Sequence, residues 1–215
     1  MTDKVYIPLG FQCTVPTALK NIGKKSEALP FDWMLSSPKF IYEIMTMLLS
    51  GMYIKELVTE HFFNCTAKST MLCAEHYVTD PNGPALYNEK YDVIFPHDVY
   101  DDVNIQKYIR RFERLYNLVK SDKNLVYIYI YPSSKDDGSF IINGRPIIKD
   151  TSEYLILMYE LLKKHCKNNF EFKVLQTFDD LIDYSGIDSI FINPANHWVH
   201  ILSECEYRLS EEQKR

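Results

Sequence analysis

The feature that most constrains the fold is the run NLVYIYIYPSS, residues 124–134. β-branched and aromatic residues follow one another here, without the polar alternation of a strand that has one face in water. A strand of this kind is covered on both faces, which places it centrally in a sheet. The run is therefore typical of an α/β protein.

Strand-like and helix-like segments alternate on both sides of this run. The apolar runs that predict further strands are KVYIPLG, YDVIFPHD, FEFKVLQTF and SIFINP. The segments that predict helices are TVPTALKNIG, the stretch from Pro38 to about Leu49, VNIQKYIRRFERLYNLVKSD and TSEYLILMYELLKKHC. The turn-rich SKDDGSFIINGRP predicts a hairpin. This alternation favours a three-layer α/β sandwich around a largely parallel sheet.

The length of 215 residues predicts a single domain over residues 1–215. No repeat or linker divides the chain. Residues 51–90 are the part whose pattern is hardest to assign, because short apolar runs and the turn-rich DPNGPALYNEK interrupt each other there. We therefore expect short strands or irregular structure in that region, which could be an inserted subdomain.

The composition excludes several classes of protein and of partner. A net charge of −5 disfavours nucleic acid as the main partner. The chain shows neither a signal peptide nor a stretch approaching the ~20 apolar residues of a membrane span. Five cysteines without an export signal indicate reduced thiols. We expect a cytoplasmic protein, or one in the host cytoplasm or virion if its source is a virus.

Cys13 has the most reactive setting of the five cysteines. It lies in the turn between the strand-like KVYIPLG, which ends at Gly10, and a helix that has Pro16 in its first turn and Thr14 as a candidate cap. A helix N-terminus or a nearby imidazole lowers the pKa of a thiol and raises the fraction of reactive thiolate. Cys13 is thus the candidate nucleophile, and a packed turn cysteine is the alternative.

A histidine and two carboxylates are the candidate partners of Cys13. His97 follows the strand-like run VIFP, so its imidazole could act as a general base at the carboxyl end of a strand. The orienting carboxylate could be Asp32 or Asp98, with Asp32 preferred because side chains of sequence neighbours seldom point at each other. His197 is the second-choice base. The alternatives are a structural or metal-bound histidine for His97 and a turn cap for Asp32.

The predicted helix after His97 carries a basic face. Lys107, Arg110, Arg111 and Arg114 have the spacing i, i+3, i+4 and i+7, which places them on one side of a helix. Such a face could bind an anion. The alternative is an ordinary solvated surface opposite the apolar stripe.

Four further residues have side chains suited to zinc. His61, Cys65, Cys73 and His76 follow one another with the spacing H-x3-C-x7-C-x2-H, which matches no common zinc finger. This is a weak metal candidate, and packing of a small aromatic-rich subdomain is the alternative. Since no glycine-rich phosphate loop, dinucleotide fingerprint or serine elbow is present, we expect no cofactor.

Four segments together resemble a family named for papain-like cysteine peptidases, which occurs in bacteria and large DNA viruses. They are PLGFQCTVPTALKNIG, PFDWMLS, VIFPHD and IRRFERLYNLVKSDKNLVYIYI, and they cover most of residues 5–135. The resemblance implies a cysteine–histidine hydrolase, with the family's early cysteine at Cys13 and its strand-end histidine at His97. It also makes an α+β papain-like fold the alternative to the α/β sandwich. The chain departs from papain-type enzymes because Gln12 directly precedes Cys13 and Thr14 follows it.

Three functions are consistent with these features. The first is a cysteine-dependent hydrolase, acting on a peptide or another acyl substrate. The second is a non-catalytic binding protein or a virion-associated structural protein that uses the basic face or the tyrosines as its contact surface. The third is a carbohydrate-modifying protein, which the basic face and the sixteen tyrosines suggest.

Overall fold

A computed structural model describes residues 4–10, 13–25, 27–65, 67–69, 85–88, 90–91, 93–131, 141–142, 145–146, 152–176, 182, 184–191 and 198–211. The strands are β1 (Lys4–Pro8), β2 (Ala67–Ser69), β3 (Ala85–Asn88), β4 (Val93–Phe95), β5 (Asn124–Tyr131), β6 (Ile141–Ile142), β7 (Arg145–Pro146), β8 (Phe170–Gln176) and β9 (Ile187–Phe191). The helices are α1 (Thr14–Asn21), α2 (Pro38–Leu49), α3 (Ile54–Glu56), α4 (Asp102–Val119), α5 (Ser152–His165) and α6 (Trp198–Glu211), and a π-helix (Leu57–Phe62) continues α3.

The main sheet has four parallel strands in the order β1-β5-β8-β9. β5 lies between β1 and β8, with Lys4 opposite Asn124 and Leu125 opposite Phe170. Residues 125–130 of β5 are all buried, as expected for a strand covered on both faces. The predicted α/β class with a largely parallel sheet is confirmed.

Two pairs of helices pack against each other, α1 against α6 and α2 against α5. The side chain of Lys24, just after α1, donates to the carbonyl of Leu209 in α6 over 2.5 Å. Cys205 and Leu209 of α6 are fully buried. Sequence patterns did not predict α6. This C-terminal helix packs against α1, which lies near the start of the described chain. Among the described helices, none is both long and apolar enough to cross a membrane.

A second sheet is antiparallel, with the strand order β2-β3-β4. The expectation that His97 follows a strand of the parallel sheet is therefore wrong, because β4 belongs to this smaller sheet. Three apolar residues such as Val93–Phe95 can be buried in either kind of sheet, and their pattern does not reveal the partner strand. Phe95 is fully buried, and its ring packs at 5.3 Å from that of Phe62.

The PFDWMLS segment connects the two sheets. Leu35 and Ile94 exchange two backbone hydrogen bonds, which attaches the segment to β4. At its other side the segment lies against the end of β1: a Cβ atom placed on Gly10 would be 2.6 Å from Ser36 Oγ and 3.6 Å from Phe31 Cβ. Gly10 has a φ of +91°, a conformation that favours glycine. The segment thus contacts both strand ends that precede the candidate residues Cys13 and His97.

Residues 51–90 contain a helix that the sequence did not predict. α3 continues into the π-helix, whose last residue, Phe62, is in the core. The buried side chain of Asn88 donates to the carbonyls of His61 and Phe62 over 2.7 and 3.2 Å. The backbone hydrogen bonds of a π-helix span five residues instead of four, and the carbonyls of its last residues have no partner within the helix. The Asn88 amide supplies that partner. The inserted subdomain stays a prediction, because most of residues 66–92 lie outside the described part of the chain.

Candidate active site

Cys13 occupies the N-cap position of α1, the position expected for Thr14. Its carbonyl accepts the first helical hydrogen bond, from the N–H of Thr17, over 3.0 Å. The Cys13 side chain makes no capping hydrogen bond to this helix N-terminus. The Thr14 hydroxyl is fully buried and has no partner within the described residues. The turn thus offers a half-buried thiol together with an unused hydroxyl.

The thiol of Cys13 does not have the lowered pKa expected from the helix N-terminus. Burial raises the pKa of Cys13, and a hydrogen bond from its own backbone offsets the increase in part. Burial, together with the smaller effect of nearby carboxylates, raises the pKa of Cys65 and of Cys205 to about 12. Cys13 has no such carboxylate among the causes of its shift. It therefore needs a base for reaction near neutral pH, but no acidic group within the described part of the chain opposes its ionisation.

His97 lies two residues after β4, on the surface of the protein. Its imidazole meets the indole of Trp33 edge-to-face, with ring centroids 6.5 Å apart and an interplanar angle of 78°. The Leu35–Ile94 backbone pairing explains this contact, because it aligns the PFDWMLS segment with the strand that leads to His97. Within the described residues, no hydrogen bond joins His97 to Cys13 or to a carboxylate.

Asp98 is bound to α4 rather than to His97. Its two carboxylate oxygens accept from the hydroxyl of Tyr108 and from the ammonium of Lys107. Only 6% of the Asp98 side chain is exposed. Burial raises the pKa of Tyr108 well above 10.0, and the neighbouring Asp98 carboxylate raises it further. Asp98 thereby anchors the His97 loop to α4, and the structure does not bring its carboxylate to the imidazole.

Asp32 is also bonded elsewhere. It is fully buried, forms an ion pair with Lys25 at 2.9 Å and accepts from the backbone N–H of Leu29 over 2.8 Å. These are the contacts of a turn-capping residue, the alternative that its position in PFDW left open. Burial raises the pKa of Asp32, while Lys25 and the more distant Arg111 favour its charged form.

A cleft of about 400 Å³ lies beside His97. Its described lining residues are Trp33, His97, Asp98, Lys107 and Arg111. Cys13 is described but is not among them. The two sequence motifs PFDW and FPHD and the predicted basic helix therefore meet at one cavity.

The four side chains of the predicted basic face lie in different environments. Lys107 and Arg111 line the cleft. Arg114 instead donates to the carbonyl of Ala28 over 2.6 Å and pairs with Glu27 at 3.2 Å. Arg110 is exposed to solvent. Only two of the four basic residues are thus available to a ligand in this cleft.

The remaining candidates contribute less. His197, Cys73 and His76 lie outside the described residues. His61 Nδ1 is 3.3 Å from the Tyr91 hydroxyl. The pKa of the Cys65 thiol is raised by burial and by the Asp98 carboxylate. Across the described ranges, no group of three or more histidine, cysteine, aspartate or glutamate residues is arranged to hold a metal ion. The zinc site stays an untested prediction.

Two residues of the site were missed in the sequence. Trp33 borders the imidazole and the cleft, and Tyr108 binds Asp98. Tyr108 belongs to the apolar stripe of α4, so its pattern indicates core burial. Trp33 directly follows Asp32, the candidate orienting carboxylate, but no feature of the local sequence distinguishes this tryptophan from a packing residue.

Comparison with known proteins identifies the family. Residues 4–138 match the family described as "putative papain-like cysteine peptidase (DUF1796)". An uncharacterised protein of Acanthamoeba polyphaga mimivirus is 30% identical over 138 residues, which are 59% of this chain and 61% of that relative. The chain thus matches about three fifths of the relative's length. No solved structure matches. Because the matched region covers more than half of the chain, the protein belongs to this family.

Proposed function

We propose that the protein is a cysteine-dependent hydrolase of an acyl substrate, with Cys13 as nucleophile and His97 as general base. The observation that carries this proposal is the position of the PFDWMLS segment. It packs on Gly10, three residues before Cys13, and pairs with Ile94, three residues before His97. Family membership supports the same pair of residues, because the resemblance assigns its cysteine and histidine to these positions.

The other described thiols are weaker candidates. Burial and the Asp98 carboxylate raise the pKa of Cys65 to about 12. Cys205 is fully buried and also has a pKa raised to about 12. Cys166 is half-buried, and its sulfur is 3.4 Å from the hydroxyl of Tyr127. Cys13 is the thiol that precedes a helix N-terminus, where backbone N–H groups can stabilise negative charge.

The proposed reaction follows the usual course of thiol hydrolases. His97 takes the proton of the Cys13 thiol, and the thiolate forms a C–S bond with the substrate carbonyl while the C=O electron pair moves to oxygen. N–H groups of the α1 first turn receive that oxyanion. The oxyanion then collapses and expels the leaving group, which takes the proton from His97. His97 then takes a proton from water as the water oxygen attacks the thioester carbonyl; the C–S bond breaks, the acid leaves, and His97 gives that proton to the Cys13 sulfur.

The free enzyme has a Cys–His pair without an orienting carboxylate in this scheme. Asp32 and Asp98 are each engaged by other residues, so Trp33 is the described side chain that restricts the imidazole. Contacts between catalytic groups are often long in free enzymes and shorten when substrate binds. The proposal therefore includes an approach of His97 to Cys13 that occurs in the free protein in solution and is stabilised when substrate binds.

The rate of cysteine alkylation tests this proposal. The folded protein is treated with limiting iodoacetamide between pH 6 and 9, and each thiol is quantified by peptide mass spectrometry. Cys13 should react fastest, and His97→Ala should slow it at least about tenfold near pH 7, because a positioned base contributes at least that much. His165→Ala, at the end of α5, is the matched control and should leave the rate unchanged.

Two results would contradict the proposal. The first is equal reactivity of all five thiols in the folded protein. The second is a Cys13 rate that His97→Ala and His165→Ala leave equal. An activated ester then separates a hydrolase from a binding protein, because only the hydrolase accumulates an acyl thioester on Cys13 and releases it to water. A non-catalytic binding or virion-associated protein would do neither.

A further inference from the structure

The cleft beside His97 contains one positive charge without a counter-ion. Lys107 is paired with Asp98, so these two charges cancel. Arg111 is half-buried, and its described contact is with an aromatic ring. Within the described residues, its guanidinium has neither an ion pair nor a hydrogen bond. Arg111 also favours the charged form of Asp32, but that carboxylate is already paired with Lys25. Among the described residues, one positive charge beside the proposed base is thus left without an ion-pair partner of its own.

The guanidinium is held in place for binding. Its Cζ atom lies 5.4 Å from the centroid of the Tyr108 ring. That ring is itself buried and fixed by the hydrogen bond from its hydroxyl to Asp98. A guanidinium placed over an aromatic face keeps its edge N–H groups available, and the fixed position lowers the entropy lost on binding. These contacts distinguish Arg111 from the exposed Arg110 one residue earlier.

We propose that Arg111 binds a carboxylate of the substrate, so that the hydrolase prefers acyl substrates with an acidic side chain near the bond that is cleaved. The planar guanidinium matches a carboxylate with two parallel hydrogen bonds. One uncompensated positive charge balances one carboxylate. A phosphate dianion would leave excess negative charge beside Asp98. Trp33 forms an aromatic wall of the same cleft, against which the aliphatic part of the side chain packs.

This substrate preference rests on the proposed hydrolase, but carboxylate binding can be measured without any reaction. The protein carries Cys13→Ser to prevent acyl transfer to the thiol and Trp198→Phe to leave Trp33 as the only tryptophan. Trp33 fluorescence is titrated with N-acetylglutamate and with N-acetylglutamine, each as its α-amide so that the side-chain carboxylate is the only charge that differs, at equal ionic strength. The glutamate compound should bind about tenfold more tightly, which corresponds to ~1.4 kcal/mol. Calorimetry on the Cys13→Ser protein with both tryptophans provides the same comparison if Trp198→Phe impairs folding.

Arg111→Gln should remove the preference for N-acetylglutamate. Arg111→Lys should keep a smaller preference, because it retains the charge but loses the planar fork. Arg110→Gln is the matched control, since it changes the net charge equally at an exposed neighbour, and it should retain the full preference. The proposal is overturned if wild-type Arg111 gives no preference, or if Arg111→Gln and Arg110→Gln behave alike.

A second measurement separates this proposal from the proposed function. N-chloroacetylglutamate and N-chloroacetylglutamine, each as its α-amide, alkylate a thiolate by displacing chloride, and they differ only by the side-chain carboxylate. In the protein with native Cys13, the glutamate reagent should react about tenfold faster at that thiol, a difference that Arg111→Gln removes. If Arg111-dependent binding is found but Cys13 reacts with neither reagent, the hydrolase is overturned and the carboxylate site stands. If both reagents react equally at Cys13 with or without Arg111, the carboxylate site is overturned and the reactive thiol stands.

Discussion

Leu35 and Ile94 exchange two backbone hydrogen bonds, 2.9 and 3.1 Å long, although 58 positions separate them in the sequence. This pairing adds the PFDWMLS segment to the antiparallel sheet as an extra bridge. It sets Trp33, two residues before Leu35, against His97, three residues after Ile94. The candidate site is therefore assembled by contacts between distant segments, and its integrity depends on how the PFDWMLS segment is seated.

Gly10→Ala should destabilise the protein and disturb that seat. Gly10 has a φ of +91°, and a Cβ atom would meet Ser36 Oγ at 2.6 Å. We expect a loss of about 3 kcal/mol in the free energy of unfolding, from left-handed strain together with overpacking. Urea denaturation measures this loss.

Gly23→Ala is the matched control for this change. Gly23 also has a positive φ, +72°, but no atom lies within 4 Å of its Cβ position. Its substitution should cost about 1 kcal/mol, the backbone strain alone. Equal losses for the two variants would show that Ser36 and its neighbours accommodate the Gly10 methyl group without cost.

Asp32→Asn should act mainly on stability. It leaves the Lys25 ammonium, whose side chain is only 9% exposed, without its buried counter-ion. Breaking a buried pair in this way typically costs about 3 kcal/mol. Urea denaturation measures the loss, and Asp122→Asn at an exposed position is the control and should change little. If Asp32→Asn preserved stability and slowed the alkylation of Cys13 instead, Asp32 would be the orienting carboxylate that the sequence suggested.

Alkaline conditions should destabilise the protein partly through Tyr108. Its folded pKa lies well above 10.0, so the folded state retains a proton that the unfolded chain releases. The contribution of this tyrosine is therefore complete below pH 10 and declines as the pH rises further, by about 1.4 kcal/mol per pH unit. Tyr108→Phe removes the titrating group, so its stability above pH 10 should fall less steeply.

Urea denaturation at several pH values from 7 to 11 measures the effect. Tyr53→Phe, at a residue that is 71% exposed, is the control and should keep the wild-type slope. Tyr108→Phe is also expected to be less stable at pH 7, because Asp98 loses a hydrogen bond. An unchanged alkaline slope in Tyr108→Phe would mean that its hydroxyl ionises equally in both states.

Elements with strong local signals were predicted closely. Pro38 and Gly51 bracket α2, and the apolar run of β5 identifies the central strand. α6 was missed because the sequence of residues 195–200 resembles a loop. Its packing partner, α1, lies at the other end of the sequence, so the contact between them is not visible in the local pattern. The π-helix was missed because its spacing differs from that of an α-helix. Pattern alone cannot assign β4 to the small sheet, since the pairing depends on strands far away in the sequence.

The site could be predicted only as a set of residue types. Helical spacing placed Lys107, Arg110, Arg111 and Arg114 on one helix, but it could not reveal that Glu27 and Ala28 engage Arg114. Likewise, the sequence order of PFDW made Asp32 a candidate carboxylate, although Lys25 binds it in the folded protein. Spacing defines which side chains share a face, whereas the contacts from other segments decide which of them remain available.

The register of the main sheet also has a consequence for synthesis of the protein. Lys4 pairs with Asn124, so β1 is made long before the only described strand that borders it. Closing so long a loop is entropically costly, and topologies dominated by distant pairings fold slowly. The strand before the Cys13 turn therefore has no described partner strand until β5 has left the ribosome. A nascent chain that ends before about residue 131 therefore cannot hold the Cys13 turn in its final position beside β5.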